Sequence, residues 1–250
     1  MRKSFEIIKF FFSERKYVQI FPNEYYIKQV ERFKKYSPDL TVEILRERDK
    51  KEYDNYLEID IPLGCSRIDG PIVDLPNDIK YPDDYYFLAQ LNCSELKPYD
   101  KIGFLPESGF LFFFLSEDLD NGCVYYTDKN ISQLKRVTKE HDNCNWYGKI
   151  ISGYSMEMEK IESRYTETEK LGKKDWDYFA GSEISKIYGI YSNCQASEKE
   201  VIEFVKNEDK IILLQIGGDY MDEGCQSVII DKNDLIKKDF TKCIFEYNQS

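Results

Sequence analysis

Three carboxylates, Asp219, Asp222 and Glu223, fall within five residues of one another. Held that close they repel, and positive charge from a cation or a basic partner relieves the repulsion, although an exposed turn in water tolerates it too. The cluster therefore reads as a candidate surface for a basic partner, with no metal centre expected. A second acidic stretch, Asp118, Asp120, Asn121 and Gly122, opens like a calcium loop. An EF-hand needs glycine at its sixth position, and here Gly122 stands fifth and Cys123 sixth, so a polar hairpin turn is the expectation. The one histidine, His141, lies three residues before Cys144, but nucleophilic dyads are assembled in space and no local signature supports this pair. Paired carboxylates for glycoside hydrolysis need a defined separation across a cleft, and with 46 acidic side chains in 250 residues no pair stands out. Zinc ligands come in close pairs, and the seven cysteines, Cys65, Cys93, Cys123, Cys144, Cys194, Cys225 and Cys243, contain no Cys-x-x-Cys. Gly217-Gly218-Asp219 matches no phosphate loop, and no cofactor is expected. Trp176, charged on both sides in Lys173-Lys174-Asp175-Trp176-Asp177, is the best exposed aromatic anchor.

The elements that must carry these residues occur twice. Ser66-Arg67-Ile68-Asp69-Gly70 returns as Ser185-Lys186-Ile187-Tyr188-Gly189, and Phe87-Leu88-Ala89-Gln90-Leu91 returns as Ile212-Leu213-Leu214-Gln215-Ile216. Gly109 opens an apolar run ending at Asp118-Leu119, and Gly224 opens one ending at Asp234-Leu235. Such recurrence points to a diverged duplication. Gly70, Gly189, Gly109 and Gly224 are expected to serve structural turns. Strands are expected at residues 56–61, 88–91, 110–115, 211–216, 227–230 and 243–245, with 41–45 as an edge strand. Helices are expected from Asn23-Glu24 to before Ser37-Pro38, from Met156 towards Lys170, and after the capping box Ser197-Glu198-Lys199-Glu200, with a helical turn at Ser94-Glu95-Leu96.

The same blocks carry a family likeness. Gly64 to Pro71, Tyr86 to Leu96, Leu105 to Gly109 leading into Phe112-Phe113-Phe114, and Leu213 to Ile216 with Asp222-Glu223-Gly224 and Asp234-Leu235 together resemble the YwqG-like family of bacterial proteins. The resemblance covers about residues 55–247. It departs at Asp69-Gly70, where the family has Gly-Gly, and at Tyr220-Met221-Asp222, where it has Trp-Gly-Asp. It implies an α+β fold with antiparallel sheets and internal duplication, and supplies no established reaction. Members also look similar to proteins carried near secreted-toxin genes.

The expected organisation is an N-terminal helical extension over 1–50 and a duplicated α+β domain over 51–250, with mainly antiparallel sheets and helices outside. Repeat one covers about 53–127, a connector 128–181, and repeat two 182–247. Apolar residues at 42% and aromatics at 15% suit a large core. No apolar run is long enough to span a bilayer, and Glu6 and Lys9 interrupt the one N-terminal stretch that resembles an export signal. A cytoplasmic protein with free thiols is expected. A net charge of -11 argues against nucleic-acid binding and for a basic protein partner. The expected function is a non-enzymatic interaction module, an immunity or antitoxin-like protein binding a basic toxin. The alternative is an enzyme or small-ligand-binding protein using the cleft between the two repeats.

Overall fold

A computed structural model describes residues 14–22, 62–70, 72–138, 149–160, 162–163, 178–179, 183–193, 195, 198–219 and 224–249. In chain order these residues form β1 (Glu14–Pro22), β2 (Arg67–Ile68), β3 (Ile72–Pro76), β4 (Tyr86–Asn92), α1 (Cys93–Leu96), β5 (Phe110–Leu115), β6 (Gly122–Thr127), β7 (Leu134–Thr138), β8 (Lys149–Lys160), β9 (Glu162–Ser163), β10 (Tyr178–Phe179), β11 (Lys186–Tyr188), α2 (Glu198–Lys206), β12 (Lys210–Ile216), β13 (Cys225–Asp231), α3 (Lys232–Lys237) and β14 (Ile244–Asn248). The chain divides into a central unit, Phe21–Pro98 with Leu105–Tyr154, and a C-terminal unit, Met1–Ile20, Tyr99–Phe104 and Ser155–Ser250.

In the central unit β2 lies between β8 and β4, and β5 lies between β4 and β6, all antiparallel. Phe110-Leu111-Phe112-Phe113-Phe114-Leu115 is buried throughout, which removes the polar alternation of a strand with one wet face. Residues two apart on a strand share a face. Phe110, Phe112 and Phe114 accordingly join Phe87 in one cluster with Val73, Leu75 and Leu134 of the two-stranded β3–β7 ribbon. Rings meet edge-on at 5.0 Å between Tyr81 and Phe114 and at 6.1 Å between Phe87 and Phe114. Each such Phe contributes roughly 1.5–3 kcal/mol through burial.

In the C-terminal unit β12 lies between β11 and β13, and β14 follows β13. On its other side β11 pairs with β1, matching Tyr17 to Tyr188 and Val18 to Ile187. Helix α2 brings Phe204 onto Tyr191, with ring centroids 4.2 Å apart, over Ile212 and Ile229.

The α+β class with outer helices is corrected by these elements. Among the described residues the α-helices have only four, nine and six residues, and the architecture is mostly antiparallel sheet. Two expected helical regions account for much of the difference. Within the expected N-terminal helical extension, Glu14–Pro22 is a strand, because Tyr17, Val18 and Ile20 bury against a sheet partner. Of the helix expected from Met156 towards Lys170, residues 156–160 belong instead to β8, where Glu159 is buried, 162–163 form β9, and 161 and 164–170 lie outside the described residues. Local helical spacing of Met158, Ile161 and Tyr165 was a real pattern in the sequence, but strand pairing outweighs so weak a preference. The expected helix near 23–37, the strands at 41–45 and 56–61, and the capping residue Ser197 lie outside the described residues.

Candidate functional site

Each unit is built around a cation with no solvent exposure. In the central unit Arg67 enters the sheet inside Ser66-Arg67-Ile68, and a buried charge must be paired and hydrogen-bonded. Its Nη1 donates to Asp74 Oδ2 at 2.9 Å and its Nε to the Ile72 carbonyl at 3.0 Å. The Asp74 carboxylate also accepts from Arg136 Nε at 3.0 Å and from the Gly64 N–H at 2.8 Å. Burial alone would raise the Asp74 carboxyl, but the charge on Arg67 and the bonds from Arg136, Arg67 and Gly64 outweigh it and hold the group down at about 2. Gln90, opposite Arg67 in the ladder, accepts from the Asp74 N–H at 2.9 Å and donates to the Cys65 carbonyl at 3.0 Å. Ser66 Oγ accepts from the Asn92 N–H at 2.8 Å.

The C-terminal unit repeats the arrangement with different residues. Lys186 Nζ donates to Glu159 at 2.8 and 3.0 Å and to the Ile190 carbonyl at 2.8 Å, and the Ile190 N–H donates to the same carboxylate. Gln215, opposite Lys186, donates to the Ile184 carbonyl at 2.9 Å, and Ser185 Oγ accepts from the Gly217 N–H at 3.3 Å. Both β4 and β12 carry a one-residue irregularity just before the glutamine, at Phe87/Ala89 and Ile212/Leu214. Asp69 and Tyr188 adopt left-handed φ values of 57° and 65°, followed by Gly70 at 96° and Gly189 at 87°. These polar side chains are occupied in holding backbone and each other.

The sequence-selected residues fall elsewhere. Gly109 at φ 90° and Gly224 at φ 85° each precede a central strand, and a Cβ there would meet the carbonyl oxygen of Thr127 or Asn248. Left-handed backbone with no room for a side chain leaves glycine as the fitting residue. The Asp219 side chain accepts from the Ser185 N–H at 2.9 Å and the Ser185 hydroxyl at 2.7 Å, so this carboxylate closes a turn. Trp176, Asp222, Glu223, His141, Cys144 and Cys194 lie outside the described residues. At the other acidic turn, Asp118 accepts from Ser116 Oγ and, at 2.9 Å, from Asn121 Nδ2, an arrangement internal to the loop. Among the described residues no group of three or more His, Cys, Asp or Glu side chains is placed to hold a metal ion. Cys65, Cys93, Cys123, Cys225 and Cys243 are free thiols.

The C-terminal unit also contains a cleft of about 220 Å³ that sequence reasoning missed. It is lined by Arg15 and Lys16 from β1, Phe104, the Tyr188–Tyr191 turn, Phe204 of α2, and Lys210 and Ile212 of β12. Phe104 meets Tyr188 edge-on at 6.1 Å. The Tyr188 hydroxyl donates to Asp100 at 3.0 Å and the Tyr191 hydroxyl to Glu246. Burial, reinforced by Glu246, pushes the Tyr191 phenol well above its ordinary range, so it stays a neutral donor. The lining residues are scattered over nearly two hundred positions, and no local motif joins them. The buried ion pairs did leave a signal: a charged residue at the same place in Ser66-Arg67-Ile68 and Ser185-Lys186-Ile187, and a glutamine inside an otherwise apolar run, each demanding a buried partner.

No helix among the described residues is long and apolar enough to cross a membrane. A search of curated proteins finds no match to the chain. A family model described as a domain of unknown function (DUF1963) matches residues 66–248, from the serine that begins the first buried-cation motif to the end of the last strand. The match spans most of the chain and both buried cations, and the chain belongs to the DUF1963 family.

Proposed function

We propose that this chain is a non-enzymatic, cytoplasmic protein-interaction module that binds a basic protein, in the manner of an immunity protein or antitoxin covering its toxin. The observation that carries the reading is where the charge resides. Among the described residues the buried charged side chains are two cations, Arg67 and Lys186, and two carboxylates, Asp74 and Glu159. They cancel, so the net charge of -11 is carried by the rest of the chain, available for long-range attraction. Exposed apolar side chains supply the other ingredient of an interface. Ile244 on the outermost described strand of its sheet is 46% exposed, and Ile236 on α3 is 59% exposed. Five free cysteines suit a reducing compartment. The blocks from Gly64 to Pro71 and Tyr86 to Leu96 support placing the chain among the YwqG-like members of its family.

The test uses the tagged full chain as bait in cells of its source organism, followed by binding kinetics with the recovered protein. A basic partner is expected, with association slowed by Asp222→Asn combined with Glu223→Gln and dissociation hastened by Trp176→Ala. Asp219 is left unchanged because its carboxylate closes the Ser185 turn. Recovery of no partner, or of an acidic one whose association rate ignores salt, would sink the proposal.

A further inference from the structure

The cleft in the C-terminal unit has a charge opposite to that of the chain. Acids outnumber bases 46 to 35 overall, yet the lining contains Arg15, Lys16 and Lys210 against the single acid Glu208. These cations differ in how far they are already neutralised. Lys210 is tied to Asp231 at 3.2 Å. Arg15 meets Glu208 only at 3.9 Å, with side chains 40% and 85% exposed, and such a pairing is weak. Lys16 is exposed and makes no ion pair among the described residues. An anionic group at this mouth would gain the field of Arg15 and Lys16 at little cost in displaced partners.

The interior of the cleft is apolar and aromatic. Ile190, Val205 and Ile212 are buried, whereas Phe104 and Phe204 are half-buried and so keep ring surface open. The hydroxyls of Tyr188 and Tyr191 are engaged by Asp100 and Glu246, leaving the rings themselves as walls. Lys232 Nζ already lies 4.6 Å from the centre of the Phe104 ring, so a cationic ligand would meet a cation there. The cleft has a volume of about 220 Å³. It is smaller than the roughly 300–1,000 Å³ of sites that enclose drug-sized molecules. The occupant is therefore small, flat enough to lie against aromatic walls, and negatively charged at one end.

We propose that this cleft binds a small aromatic carboxylate, its ring against Phe104 and Phe204 and its carboxylate at Arg15 and Lys16. The inference is independent of the basic-partner reading, and neither stands or falls with the other. The experiment is a titration of the isotopically labelled full chain with phenylacetate, followed by amide chemical shifts up to about 10 mM, a range that captures millimolar affinity. Phenylacetamide serves as the uncharged control. Saturable shifts confined to residues around Gly189, Asn207 and Lys210 are expected with the acid, and binding of the amide is expected to be weaker by about five-fold or more. Arg15→Gln with Lys16→Gln should erase the preference for the acid. Phe204→Leu should weaken acid and amide alike, which keeps the test decisive if the double variant fails to fold. Equal binding of acid and amide, shifts outside the cleft, or the absence of saturable shifts would overturn the proposal.

Discussion

Asp74→Asn should destabilise the central unit severely. The substitution keeps the side-chain shape but removes a carboxylate bonded to Arg67, whose side chain has no solvent exposure, and it turns an amide N–H₂ towards one of the donors now facing Asp74. Removing one partner of a buried ion pair costs roughly 3–5 kcal/mol, against a total stability of about 5–15 kcal/mol for a typical domain. A second route gives a compatible lower figure. A carboxyl held down from 3.8 to about 2 represents about 2–3 kcal/mol at ~1.4 kcal/mol per unit, and the donor–donor conflict of the amide adds to that. The sign fixes the pH window. Because the folded carboxyl is depressed, its contribution is complete above about pH 4 and is lost as pH falls through about 2. Urea unfolding followed by circular dichroism at several pH values is the assay. The gap between wild type and Asp74→Asn should be constant near neutrality and close between about pH 4 and 2. Arg67→Met should restore part of the stability lost in Asp74→Asn, since it removes the stranded charge. A cost below about 1 kcal/mol, the range of an exposed ion pair, would refute the reasoning.

Gly109→Ala and Gly224→Ala should each cost on the order of 1–3 kcal/mol in backbone strain, and more from the clash with the Thr127 or Asn248 carbonyl. Thermal unfolding of each variant measures it, and a loss under about 0.5 kcal/mol, the level of an ordinary surface change, would show that the turn relaxes freely. All seven cysteines should titrate as thiols after unfolding without reductant, and fewer than seven would reveal a disulfide. In the native protein Cys93 and Cys225 should resist alkylation because they are buried. Cys243 should react slowly at neutral pH, because burial, with Asp239 adding to it, pushes its thiol up to about 12.

The sequence disclosed sheet elements better than helices, for identifiable reasons. Runs such as Phe110 to Leu115 and Ile211 to Ile216 announce themselves because a strand covered on both faces needs no polar residues. β1 was harder to see. Its partner β11 is some 170 positions away, and nothing in Glu14-Arg15-Lys16-Tyr17-Val18 alone tells a strand from an amphipathic helix. The same non-locality hid Glu159 as the counter-ion of Lys186, although the recurrence of a cation within both Ser-Arg-Ile and Ser-Lys-Ile was visible. In the central unit the carboxylate follows the cation, at Asp74, and in the C-terminal unit it precedes the cation, at Glu159, so aligning the two motifs could not reveal it. The glycines were legible because the position recurred. The cleft was not, because charge at Arg15 and Lys16 meets aromatic surface at Phe104 and Phe204 only through the fold.

The most direct test of the proposed interaction is the association rate constant of the full chain with its recovered partner, measured by stopped flow at low and at physiological ionic strength. Long-range steering of a basic partner by the net charge of -11 should make association faster at low salt by about ten-fold or more, with the dissociation rate changing far less. An association rate that stays within about two-fold across that range would contradict electrostatic capture of a basic protein as what this chain does.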